Sequence, residues 1–220
     1  MLFSSNPRLG LACRFAIYPT FVSLLAPLFY TLWALYGSEQ RSDLITWAKY
    51  FGAIGPLESS LSQEWWRLLS APLLHAHLEH LASNGLLIYM ALAVLCYTEL
   101  PIAGTFKPRF FKVTLSLFSV LYLALSGALI ALIRFILNVP SWSIGCSGAA
   151  LAILTLALIR FALIDHERSL WKRSFIVLSP MLLFFKTGEG SVDLSSHMIG
   201  ICIGSVSAIG DHLFKSSHRS

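Results

Sequence analysis

Ser147 stands between two glycines, in 145-GCSG-148, where an apolar run begins. His197 opens a second pattern, 197-HMIGICIG-204. A serine hydroxyl becomes a nucleophile when an imidazole takes its proton, and the oxyanion it creates needs donors already in place. If GCSG opens a helix, the first-turn N–H groups lack intrahelical acceptors and carry the positive end of the helix dipole. The backbone N–H of Ser147 would then be one donor. Gly145 and Gly148 permit a tight turn and a close neighbour. His80 and Asn84, in 80-HLASN-84, are four residues apart and share a helix face. An imidazole and a carboxamide both donate hydrogen bonds, so this pair suits the side-chain part of an oxyanion hole. On its own, each pattern has a second reading. GxSG also serves helix packing in lipid, and His197 could be a structural hydrogen-bonding group between helices.

The stretch 75-HAHLEHLASN-84 raises zinc as well, with three histidines and a glutamate in six residues. On a helix His75 would lie about 160° from His77 and about 140° from His80, so three ligands would not converge. No metal is expected. His77 and Glu79 read as a solvated interfacial turn, and His75, His77, Ser83 and Asn84 as walls of a wet cavity open to the outer face.

These residues need elements to hold them. Of 220 residues 56% are hydrophobic and 12% charged, against roughly 25% charged in soluble domains. Mean hydropathy is +0.70. The class is an all-α, polytopic membrane protein. The net charge of +5 sits between apolar segments, so it reads as membrane orientation rather than nucleic-acid binding. Cys13, Cys96, Cys146 and Cys202 show no CxxC spacing, which argues against disulfides or a zinc site. No removable leader is expected at the polar start.

Six apolar segments suit a core of about 30 Å, at about 14–37, 74–97, 111–137, 145–163, 175–187 and 194–214. The fifth is short and holds Pro180. Residues 1–13 are expected as a cytoplasmic N-terminal segment, 14–214 as one membrane domain with an outer loop at about 38–74, and 215–220 as a cytoplasmic tail. With the N-terminus inside, eleven Lys and Arg fall in inner segments and five, including Arg67 and Arg134, in outer ones. Both termini are then cytoplasmic, and Ser147 and His197 lie near the outer face. Gly200 and Gly204 share a helix face with His197, so a neighbouring helix can approach closely there.

Together, 64-EWWRLL-69, 80-HLASN-84, 145-GCSG-148 and 197-HMIGICIG-204 resemble the rhomboid family of intramembrane serine proteases in order, spacing and span placement. The resemblance implies a six-transmembrane-helix rhomboid-like bundle with a Ser147–His197 dyad. It implies an oxyanion hole of His80, Asn84 and the Ser147 N–H. His75 matches a supporting histidine, and Trp66 and Arg67 a structural pair at the interface. Two departures stand out. Cys146 fills the variable position of GxSG, and Leu151 stands where many relatives carry a tyrosine against the histidine. The implied activity is endopeptidase cleavage of other proteins' transmembrane segments, without cofactor. The alternative is a proteolytically inactive relative that binds membrane clients. A transporter would need polar residues across the whole membrane, whereas here they cluster at one side. The compact frame suits a bacterial inner membrane, or alternatively a eukaryotic secretory-pathway membrane. Client and oligomeric state are not indicated.

Overall fold

The computed structural model describes residues 7–36, 44–55, 64–99, 108–139, 141–164 and 194–217. Among them are seven helices: α1 (Pro7–Tyr36), α2 (Leu44–Tyr50), α3 (Arg67–Ser70), α4 (Leu78–Glu99), α5 (Pro108–Ile136), α6 (Ser147–Ile164) and α7 (Leu194–Ser217). No strand occurs in these segments; one isolated bridge joins Ile54 and Ser143. Four stretches are long and apolar enough to cross a membrane: Arg8–Tyr36, Leu78–Glu99, Phe111–Ile136 and Leu194–Phe214. The apolar stretch of α6, Ser147–Leu163, is shorter. The expected fifth span, with Pro180, lies outside the described residues. So does Asp193. At the ends, α1 already includes residues 7–13, and α7 runs on to Ser217.

α6 is the central post, packed against α4, α5 and α7, while α1 packs on α4 and α5. Residues 148–157 of α6 are all buried, which suits a helix that is apolar all round. Small residues and hydroxyls join the helices, as expected where lipid removes the hydrophobic drive between them. Ser23 and Ser119 pair at 2.7 Å between α1 and α5, and Tyr122 donates to Ser207 at 3.2 Å between α5 and α7.

The closest approach is α6 against α7. A Cβ on Gly200 would collide with the Gly148 carbonyl, and one on Gly204 with the Ala152 carbonyl. The glycine face of α7 therefore meets α6 backbone to backbone. This contact holds His197 close to the start of α6.

The loop before α4 is tied to the same end of the bundle. Trp47 donates to the Ala34 carbonyl at 3.0 Å, and Tyr30 to the Phe51 carbonyl at 2.8 Å, so α2 docks on α1. Arg67, only 8% exposed, holds Glu64 through two hydrogen bonds and donates to the carbonyls of Lys49 at 2.7 Å and Ala53 at 3.0 Å. That hydrogen bond keeps the Glu64 carboxyl below the usual carboxylate range. The next residue, Ile54, exchanges two backbone hydrogen bonds with Ser143. Arg67 thus braces the segment that pairs with the approach to Ser147.

Candidate active site

Ser147 is the first residue of α6 and His197 lies in the first turn of α7. The Ser147 hydroxyl is 2.9 Å from His197 Nε2. His197 is 5% exposed and Ser147 half-buried, so the imidazole is sheltered and the hydroxyl reachable. Ser147 opens α6, so its N–H lies in the first turn, where donors lack intrahelical acceptors, at the helix dipole's positive end.

Gly145 makes the turn. Its φ is +96°, the region where a side chain strains the backbone, and its N–H donates to the Ala71 carbonyl at 2.9 Å. A Cβ there would also meet His80, 2.9 Å from Cε1 and 3.3 Å from Nε2. The Cε1–Nε2 edge of His80 therefore lies against the turn that delivers Ser147. Gly148 has a separate reason to be small: a Cβ would strike the Ser196 carbonyl.

His75 sits deeper than the sequence suggests. The helix starts at Leu78, so His75 lies on the preceding turn, and the angular argument that placed it on a helix does not apply. It is fully buried, and its ring meets that of His80 edge to face with centroids 5.1 Å apart. Its Nδ1 lies 3.1 Å from the Leu73 carbonyl, which can only accept, so Nδ1 carries the proton. Nε2 is then a lone pair, and it accepts from Asn84 Nδ2 at 3.0 Å and from the Cys146 N–H at 3.4 Å. This chain fixes which way the Asn84 carboxamide points. Burial pushes the imidazole down to about 4, so it stays neutral at ordinary pH.

The expected wet cavity walls are thus corrected. His75 and Asn84, the latter 2% exposed, are packed away. Ser83 faces outward and bonds back to the His80 carbonyl at 2.9 Å. His77 and Glu79 are exposed. Among the described residues no group of three His, Cys, Asp or Glu side chains is placed to hold a metal. A cavity of about 20 Å³ does exist beside Gly145 and Gly148, lined also by Pro72, Arg134, Ser143 and Ser196. Its volume suits about one water molecule, with Arg134, Ser143 and Ser196 as polar neighbours in a mostly apolar wall.

Cys146 is buried, with its thiol pushed up to about 12 by burial, which makes it an inert packing group. Leu151 is fully buried in the main core. Trp66 stays 37% exposed and covers Arg67, 4.8 Å from ring centre to guanidinium carbon. Arg134, counted above among outer charges, is 2% exposed, with its guanidinium on Ser195 and Ser141. A cation flanked on both sides by apolar residues, 132-LIRFI-136, was the available signal.

The family model of the rhomboid domain matches residues 62–213. No match was found among curated proteins or among solved structures. The matched stretch is well over half of the chain and holds every candidate site residue. The chain therefore belongs to the rhomboid family of integral membrane proteins, whose members are in general intramembrane serine proteases.

Proposed function

We propose that this protein is an intramembrane serine endopeptidase that cuts transmembrane segments of other proteins near the outer face. The 2.9 Å approach of His197 Nε2 to the Ser147 hydroxyl carries the reading. His197 takes the hydroxyl proton and Ser147 attacks the scissile carbonyl. The oxyanion is received by the Ser147 N–H, by His80 and by the Asn84 amide, which His75 Nε2 orients. His197 then gives its proton to the leaving amine, and water releases the acyl group.

The substrate must unwind before its carbonyl can be reached, because a helix hides its peptide bonds. Helix-breaking or small residues near the cut lower that cost, by about 1 kcal/mol for a glycine. Six spans with both termini in the cytoplasm place Ser147 and His197 toward the outer face.

The test uses purified protein in liposomes with a single-span substrate carrying small residues near its outer end. Wild type should cleave, and Ser147→Ala and His197→Ala should not. Cleavage by all three would mean another nucleophile. Client capture by wild type without cleavage or fluorophosphonate labelling of Ser147 would favour the inactive client-binder.

A further inference from the structure

Arg134 takes no part in the steps above, yet it is 2% exposed at the end of a membrane span. A guanidinium held out of water there is costly unless its donors are met. Here its two Nη groups are met by two other segments. Nη1 donates to the Ser195 hydroxyl, in the first turn of α7 and two residues before His197. Nη2 donates to Ser141, at 2.7 Å to the carbonyl and 3.1 Å to the hydroxyl, in the loop that leads to Ser147. A second polar tie runs parallel, with the Ser143 and Ser196 hydroxyls 3.2 Å apart. Farther along α7, the contacts of Gly200 and Gly204 hold it on α6. The first turn of α7 relies on these hydroxyls and on the Ser196 carbonyl against Gly148.

We propose that Arg134 is a positioning residue: its two-armed guanidinium locks the first turn of α7 to the loop before Ser147 and so holds His197 at proton-transfer distance. The proposal rests on the dyad reading above. The planar fork is what allows one side chain to serve both segments; a lysine keeps the charge but offers a single ammonium. Misplacing a reacting group by about 1 Å can cost about a hundredfold in rate.

Arg134→Lys, Ser195→Ala and Ser195→Thr are compared with wild type in liposomes. For each, kcat, KM, the rate of fluorophosphonate labelling at Ser147 and the unfolding midpoint are measured. Arg134→Lys and Ser195→Ala should lower kcat about tenfold or more and slow labelling equally, with KM within about twofold. Ser195→Thr keeps the hydroxyl and should return most of the rate. If Arg134→Lys does not fold, the Ser195 pair decides. Wild-type kcat and labelling in Ser195→Ala would overturn the proposal. So would a loss in which Thr is as poor as Ala and the midpoint falls in step, which would leave Arg134 a packing cation. Cleavage or labelling that survives Ser147→Ala would instead sink the dyad reading itself.

Discussion

At the scale of single residues the proposed site divides into groups assigned to the substrate and groups that hold them. His80 and His75 have touching rings but different surroundings, and so different tasks. His80 lies against the Gly145 turn, while His75 is sealed among Leu73, Asn84 and Cys146. His80→Phe keeps a ring on Gly145 and removes the donor. Its kcat should fall about a hundredfold, the loss typical of one oxyanion donor, with the unfolding midpoint little changed. An unaltered kcat would remove His80 from the oxyanion hole. His75 gives a different signature. Unfolded, it takes up a proton as pH falls through about 6.5; folded, it resists until about 4. The unfolded state binds the extra proton across that window, so stability drops as pH falls from about 6.5 to about 4 and levels off below. The size is at most about 3 kcal/mol. Unfolding midpoints at pH 7 and 4.5 should diverge in wild type and much less in His75→Gln. Equal slopes in the two would mean His75 is not the titrating group.

At the scale of elements, the glycines of α7 decide the distance between the helices that carry the dyad. Gly200 meets the Gly148 carbonyl with no room for a methyl group. Gly200→Leu must push α7 away from α6. We expect a cost of about 1–3 kcal/mol and loss of labelling at Ser147. Gly210, on the same helix, has nothing within 4 Å of its Cβ position. Gly210→Ala should keep full activity and gain up to about 1 kcal/mol from helix propensity. Full labelling in Gly200→Leu would show that α7 can move without disturbing the dyad.

At the scale of the whole molecule, the two ends of the bundle differ. The site end gathers hydroxyls, imidazoles and tight turns. At the other end Arg160, on α6, bridges Glu99 of α4 at 2.8 Å and Asp211 of α7 at 3.0 Å. The proposed orientation puts that side, with its excess of basic residues, in the cytoplasm. Glu79 near the site and Ser217 at the far end of α7 are both exposed. Single cysteines at these positions, in a background without the native ones, should react with a membrane-impermeant maleimide from opposite faces. Reaction of both from one face would overturn the orientation.

The four long apolar spans and the motifs that carry the family were legible in the sequence, because each leaves a local trace. Apolar length marks a span, glycines at helical spacing mark a close face, and GCSG marks a helix start. What escaped depends on partners far apart in the chain. Nothing near His75 says that Leu73 and Asn84 will fix its tautomer. Arg67 read as an interfacial residue and proved a buried brace for two carbonyls of the preceding loop. Arg134 read as a loop charge, yet Ser195 lies 61 residues away along the chain. Periodicity and spacing report which face a residue occupies. Only the folded chain brings distant donors and acceptors together, so the hydrogen bonds around Ser147 and His197 were decided by tertiary structure.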